Sequence, residues 1–402
     1  MSEYKPIGWP RNSNETLEWL VNGTSRERFI DDIFTELCER LRSAGTPVAR
    51  ATLFLNTYNP QWQGARILWR IGDSKAAIIT FDYGIEDTGR YQNSPIRELD
   101  EGADVVRRRI SENRGQAPWY PVYDELLEEG LTDYLALGVE HTLGKRQSVT
   151  FASDGAGGFS EADIRLLKDI LPALALVSEI RLKNRLARTL LETYVGPHAS
   201  EQILAGATRR GSGTTVRAAV LICDLRDFTS ISDMWPRDDV IELLNSYFDA
   251  VSDPIEQKGG EILKFMGDGL LAIFPLSNPQ ACESLLAAVT EARANMSAMN
   301  DLHVQKGHPA LRYGMGVHVG DVMYGNIGSR KRLDFTVIGP AVNIASRLEK
   351  LTKTTKKPVL LSADFVEAVG KDARMEGLGS FELRGVAKPI EVFTFGEWTS
   401  EL

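Results

Sequence analysis

Ala218-Ala-Val-Leu-Ile-Cys-Asp-Leu-Arg-Asp-Phe-Thr229 and Glu261-Ile-Leu-Lys-Phe-Met-Gly-Asp-Gly-Leu-Leu-Ala-Ile-Phe274 are the two pieces of sequence that decide how this chain folds. The first joins an apolar run to Asp224. The second sets Asp268 between two glycines, immediately before another apolar run. Apolar runs of this length bounded by turn residues read as buried strands. Two such strands, each presenting a carboxylate beside a turn, are what a two-metal phosphoryl-transfer site needs, because paired carboxylates can hold two cations about 4 Å apart. Taken singly, either Asp is equally well a residue that caps a turn.

The pattern around this stretch is mixed. Val240 to Ile255 reads as a helix, Glu261 to Phe274 as a hairpin and Gln280 to Met299 as a helix. Tyr313 to Gly320 and Val322 to Ile327 read as strands, Val342 to Leu351 as a helix, and Pro358 to Leu361 and Ile390 to Phe395 as strands. Upstream, Gly206 to Thr215 is rich in Gly, Ser and Thr and reads as a linker. The second half is therefore expected to be an α/β sandwich. Leu225 to Thr229, where the first strand passes into a helix, offers backbone N–H groups able to cradle a triphosphate. The chain contains no Walker-type GxxxxGK[ST] phosphate loop, which argues against the common ATPase folds.

With 402 residues, 43% of them apolar, the chain is expected to form more than one packed domain. A net charge of -9 argues against a general nucleic-acid binder. Cys38, Cys223 and Cys282 are widely spaced, with neither a CxxC pair nor a nearby His, so no disulfide framework or zinc site is indicated and a reducing cytoplasm is the expectation. The longest apolar run, Ile170 to Val177, contains Pro172 and is far short of the about 20 residues that span a bilayer. No membrane insertion is expected.

Four segments together resemble the signature segments of class III nucleotide cyclases: Ile222-Cys-Asp-Leu-Arg-Asp-Phe-Thr229, Lys264-Phe-Met-Gly-Asp-Gly269, Gly325-Asn-Ile-Gly-Ser329 and Asp334-Phe-Thr-Val-Ile-Gly-Pro-Ala-Val-Asn-Ile-Ala-Ser-Arg347. The resemblance covers roughly residues 216–396, in order and spacing. It implies a homodimer with two active sites at the subunit interface. In each site Asp224 and Asp268 of one subunit bind two Mg2+ or Mn2+ ions, and Lys264 and Thr336 of the other contact the base. Asn343 and Arg347, also from the other subunit, orient the ribose and stabilise charge on the phosphate. Phe228 and Thr229 fall in the phosphate-binding turn. Arg384 resembles the position of a cation on the terminal phosphates, with Lys388 as its competitor.

A Lys ammonium and an oxygen acceptor suit the N1 acceptor and exocyclic amine of adenine, so ATP is the expected substrate and cyclic AMP the expected product. Many family members carry Asp where Thr336 stands. The hydroxyl leaves GTP use open, and the Thr-bearing subgroup resembles adenylate cyclases, some of them bicarbonate-responsive. A guanylate cyclase and an inactive, cyclase-like dimerisation module are the alternatives. A diguanylate cyclase is disfavoured because Gly267-Asp-Gly269 stands in place of a GGDEF turn.

In the first half, Phe29, Ile33, Phe34, Leu37 and Leu41 form one helical face. Strands are expected at Ala51 to Tyr58, Ala65 to Ile71, Ala76 to Phe81, Leu131 to Val139 and Ser148 to Ala152, and a helix is expected over Glu98 to Asn113. Ser160-Glu-Ala-Asp163 is a helix start, and the pattern then stays helical to Val195, as in a connecting and dimerising helix. The order of elements, closing on Gly-Gly-Phe159-Ser-Glu-Ala-Asp163, is similar to GAF domains, which implies a small-molecule regulator or a dimerisation role. Trp62, Trp69, Phe81, Tyr83, Tyr91, Trp119, Tyr120, Tyr123 and Tyr134 are candidates to line a ligand pocket or to pack the core. His141 is a turn residue or, less in keeping with its surroundings, a haem ligand. The overall expectation is an α+β chain: a GAF-like α/β sensor domain over 1–160, a signalling and dimerisation helix with linker over 161–215, and a ferredoxin-like α/β sandwich catalytic domain over 216–402.

Overall fold

A computed structural model describes residues 15–57, 59–60, 62–144, 146–370 and 374–395. The chain forms two compact units, Met1–Leu190 and Leu191–Leu402. Their boundary falls inside the segment read as helix and linker. Tyr58 lies outside the described residues.

The N-terminal unit comprises α1 (Glu15–Glu18), α2 (Ile30–Ser43), β1 (Val48–Asn56), β2 (Gly64–Arg70), β3 (Ala77–Phe81), α3 (Gly89–Gln92), α4 (Pro95–Asp100), β4 (Val105–Arg108), α5 (Pro121–Glu128), β5 (Asp133–Glu140), β6 (Arg146–Ser153) and α6 (Glu161–Asp169), followed by α7 (Leu171–Val195), which runs on past the unit's end. Its six strands form one antiparallel sheet in the order β3-β2-β1-β6-β5-β4. The alternation along β1 explains why the sheet is covered on both sides. Ala51, Leu53 and Leu55 face a core shared with Ile33, Phe34 and Leu37 of α2 and Leu174 of α7, and the intervening residues point the other way.

Two sequence expectations fail here. Glu98 to Asn113 is not a helix: α4 stops at Asp100, Gly102 takes φ +115, and Val105 and Val106 pair with Leu137 and Ala136 as a strand. Two adjacent β-branched residues beside an open sheet edge gain more from that pairing than from a helical turn. The helix from Ser160 is also not continuous. Ser160 and Asp163 form the expected capping box, but α6 ends at Asp169 and α7 begins at Leu171, just before Pro172, which has no N–H to carry the first helix onward. Of the aromatic candidates, Trp69 and Tyr123 are core, and Trp119, Tyr120 and Tyr134 each pack edge-on against Tyr123 at 5.4–5.6 Å. His141 is buried, with Nε2 3.0 Å from Ser178 Oγ, as a structural residue would be.

The C-terminal unit contains α8 (Pro197–Leu204), β7 (Gly213–Leu225), α9 (Phe228–Met234), α10 (Arg237–Gln257), β8 (Glu261–Met266), β9 (Gly269–Pro275), α11 (Ala281–Gln305), β10 (Tyr313–Gly328), β11 (Leu333–Ile338), α12 (Pro340–Thr355), β12 (Val359–Ser362), α13 (Ala363–Val369), β13 (Met375–Phe381) and β14 (Ile390–Phe395). Its eight-stranded sheet runs β13-β14-β12-β10-β7-β9-β8, with β11 hydrogen-bonded to the far end of β10. One face is covered by α10, α11 and α13 over a large core that includes Tyr247, Val251, Leu285, Met296 and Phe365. The other face carries α12, whose Ala341 and Ala345 sit on Val220, Ile222 and Val322.

Two strands expected at Tyr313–Gly320 and Val322–Ile327 are a single strand, β10. Part of the expected linker is β7, because the extended β10 gives Gly213 a partner in Gly325. The glycine at 325 is required by this approach, since a Cβ there would lie 2.2 Å from Ser212 O. Among the described residues, no helix is long and apolar enough to cross a membrane.

Candidate active site

β7 and β9 pair in a register that sets Asp224 opposite Gly269. The β8–β9 hairpin turns at Gly267, with φ +72, and Asp268, and Leu225 N–H donates to Asp268 O at 3.3 Å. The two carboxylate-bearing residues, far apart in sequence, are thereby brought to one end of adjacent strands. Asp224 lies over the hairpin, where a Cβ at residue 269 would come within 2.9 Å of Asp224 Oδ1. Glycine at that position is what leaves room for the carboxylate. Burial, reinforced by the negative charges of Asp268 and Glu349 and opposed by Arg226 and Lys353, pushes the Asp224 carboxyl up to about 6.

A half-buried carboxylate raised by a second carboxylate is a donor pair short of positive charge. Hard oxygen donors in that state fit Mg2+ or Mn2+, which typically bind through one or two carboxylates with water and substrate phosphates completing the shell. Among the described residues, no group of three or more His, Cys, Asp or Glu is placed to hold a metal; Asp224 and Asp268 are the pair of oxygen donors at this end of the sheet.

The other sequence-predicted residues fall in different places. Lys264 on β8 extends toward β11, its Nζ 3.9 Å from Asp334 Oδ2. Thr336 on β11 is buried, and its Oγ1 has no hydrogen-bond partner. Asn343 and Arg347, four residues apart on α12, are exposed and half-buried. Phe228 packs against the large core at the start of α9, and Thr229 beside it is exposed. Arg384 and Lys388 lie exposed in the segment between β13 and β14. No hydrogen bond or ion pair among the described residues joins Asp224 or Asp268 to Lys264, Thr336, Asn343, Arg347 or Arg384 of the same chain.

One buried pair beside the candidate site escaped the sequence reading. Arg226 is buried, with Nη1 2.6 Å from Glu349 Oε1, and Nη2 donates to Glu349 O at 2.7 Å and to Thr352 Oγ1. This fastens the end of β7, which presents Asp224, to α12, which presents Asn343 and Arg347. In the sequence Arg226 looks like a turn residue and Glu349 like a solvated helix position. Neither spacing nor composition signals the pairing.

Residues 212–396 match the family model of the adenylate and guanylate cyclase catalytic domain. Among curated proteins, an adenylate cyclase of Anabaena cylindrica is 31% identical over 268 residues, covering 62% of this chain and 51% of that protein. Adenylate cyclase 1 of Rhizobium meliloti is 25% identical over 265 residues, covering 64% and 40%. The chain thus spans about half or less of the length of these relatives. Among solved structures, the guanylyl cyclase Cya2 is 30% identical and covers 47% of this chain and 97% of its own, with a TM-score of 0.41. A bacterial light-regulated adenylyl cyclase is 27% identical and covers 45% and 91%, with a TM-score of 0.40.

Proposed function

Since residues 212–396 carry an adenylate and guanylate cyclase catalytic domain, we propose that this protein is an adenylate cyclase that converts ATP to 3',5'-cyclic AMP and pyrophosphate at two sites shared across a homodimer. The observation that carries this reading is the convergence of Asp224 and Asp268 at one end of adjacent strands, where burial and the Asp268 charge push the Asp224 carboxyl up despite Arg226 and Lys353. Two Mg2+ or Mn2+ ions, when bound, would supply activation of the ribose 3'-hydroxyl and neutralise charge developing at the α-phosphate.

The chain's own residues do the rest. Asp224 and Asp268 hold the cations of one site. Asn343 and Arg347, contributed by the partner, orient the ribose and offer a fixed guanidinium to the phosphate under attack; a preset charge needs little reorganisation as the reaction proceeds. Phe228 and Thr229 lie beside the phosphates and Arg384 is the cation for their terminal end. Among the described residues no hydrogen bond or ion pair joins Lys264, Thr336, Asn343 or Arg347 to the carboxylate pair of the same chain, in keeping with a site completed by a second copy. The same reading is supported by the exposed apolar side chains Phe265 and Met266 on β8, Met323 on β10 and Ile338 on β11, which sit on the strands that bear or adjoin Lys264 and Thr336. Buried Thr336 Oγ1 without a partner supports base recognition, because a buried hydroxyl left unpaired is costly until a ligand group meets it. With Lys264 donating to N1 and Thr336 accepting from the exocyclic amine, the pair selects adenine.

The N-terminal unit, an antiparallel sheet closed by terminal helices, acts as a GAF-like sensor. It alters the meeting of two catalytic units through α7, whose exposed Leu176 and Ile180 are one helical turn apart and suit a helix pair. The protein works in the cytoplasm. The deciding experiment is incubation with ATP or GTP, with Mg2+, Mn2+ or EDTA, followed by chromatography of the products. Cation-dependent cyclic AMP from ATP is expected. Cyclic GMP as the main product would overturn the base assignment, and no product from either nucleotide would overturn the enzyme reading.

A further inference from the structure

The sheet of the N-terminal unit has one face of ordinary core and one that is not. Toward α2 and α7 it presents Leu53, Val149 and Phe151. Toward α4 and α5 it presents hydroxyls, from Thr52 on β1 and Ser148 and Thr150 on β6, all buried. Polar side chains on a covered sheet face need partners, and Thr150 has one in the Tyr134 hydroxyl. What lies over them is a cavity of about 350 Å³, within the size range of small-molecule sites. Phe54, Ile79, Phe81, Ile96, Leu126 and Tyr134 give it apolar walls.

Three guanidinium groups reach this cavity, from Arg50, Arg66 and Arg90. Two are already matched: Arg50 donates to Glu129 Oε1 at 2.9 Å and lies 3.7 Å from Glu125, and Arg90 is 3.5 Å from Glu125. The side chain of Arg66, half-buried on β2, makes no hydrogen bond or ion pair with any described residue. Burial and the neighbouring Arg90 and Arg50 charges lower its pKa, and the Glu125 charge, already shared by Arg50 and Arg90, only partly offsets them. The remaining carboxylates on the lining have donors of their own: Asp100 accepts from Tyr91 Oη at 2.8 Å, and Glu86 accepts from Gln63.

We propose that this cavity binds a small organic monocarboxylate, whose apolar ring or chain fills the walled part over the Thr52–Thr150 floor while its carboxylate takes the free fork of Arg66. Guanidinium and carboxylate match in planar geometry. A single negative charge suits a lining that also holds Glu86, Asp100 and Glu125, which would repel a multiply charged phosphate. The site stands on the N-terminal unit alone and does not depend on the cyclase reading.

The test uses the full chain and four probes of similar shape: phenylacetate, phenylacetamide, 2-phenylethylamine and phenyl phosphate, titrated by calorimetry or ligand-observed NMR. Phenylacetate should bind saturably, about tenfold or more tighter than the amide, as a charge-assisted pair requires. It should also bind more tightly than the amine or the phosphate. Arg66→Gln should erase the acid–amide difference and Arg66→Lys should keep part of it. Ser148→Leu, which fills the floor, should remove binding of both acid and amide. Equal binding of acid and amide, tighter binding of the amine or the phosphate, no saturable acid binding into the millimolar range, or unchanged acid affinity in Arg66→Gln would each overturn the proposal. If Ser148→Leu folds yet retains both ligands, the probe sits elsewhere and the proposal falls.

Discussion

Asp224 is asked to be two things. It is a half-buried carboxylate crowded by Asp268, which disfavours the folded state, and in the proposed site it would anchor the cations that relieve the crowding. Asp224→Ala should therefore abolish turnover without lowering the unfolding midpoint of the cation-free protein, since the substitution removes a repulsion. Mixing Asp224→Ala with Arg347→Ala protein should recover roughly a quarter of the wild-type rate, because half the dimers are mixed and each keeps one intact site. No recovery, with heterodimers verified, would sink the shared-site arrangement.

A second residue gives a pH signature. His318 is buried, its Nδ1 2.8 Å from Ser362 Oγ, and burial holds its pKa below the ordinary 6.5 despite the opposing Asp364 carboxylate 3.8 Å away. As pH falls below about 6.5 the unfolded chain takes up a proton that the folded one refuses, so the stability contributed by the neutral ring is lost in that window. Hydrogen exchange of the β10 and β12 amides should accelerate from about pH 7 toward about pH 5.5 after correction for intrinsic rates, and His318→Gln should flatten that dependence.

The α12–β10 contact decides how the secondary elements position the candidate site. Gly316 lies under α12 so closely that a Cβ would come 2.1 Å from Ala345 O and 2.4 Å from Glu349 N. The helix is thus seated backbone-to-backbone on the strand and bolted at one end by the Arg226–Glu349 pair. Gly316→Ala has to lift α12, and with it Asn343 and Arg347. Overpacking of this kind costs about 1–3 kcal/mol, and for a catalytic geometry sensitive to small displacements turnover should fall by more than the loss of folded protein explains. The measurement is a urea midpoint beside a turnover number. A lower midpoint with unchanged turnover per folded molecule would mean that α12 does not position the reacting groups.

The C-terminal unit holds every candidate catalytic residue, and the N-terminal unit holds the cavity. If the N-terminal unit is a sensor, removing it should change the rate of the catalytic unit or its response to small molecules. A shortened protein from Leu191 onward, first checked for folding by circular dichroism, should differ in basal turnover from the full chain. Equal turnover, and equal insensitivity to added carboxylates in both, would deny the first unit any control.

The amino-acid sequence by itself determined β9, β12 and β14, the hairpin at Asp268 and the capping box at Ser160, because apolar runs ending on charged turns leave few foldable alternatives; β11 and β13, which lack such runs, were not legible. The sequence could not determine what depends on partners distant in the chain. Val105 and Val106 form a strand only because β5 offers an edge. Gly213 to Thr215 extend β7 only because β10 runs on, and Arg226 is buried only because α12 brings Glu349 to it. Of the cavity, the sequence offered only aromatic wall candidates, of which Phe81, Tyr91 and Tyr134 do line it; its hydroxyl floor and the Arg66 guanidinium come from β1, β2 and β6, which tertiary pairing alone sets side by side.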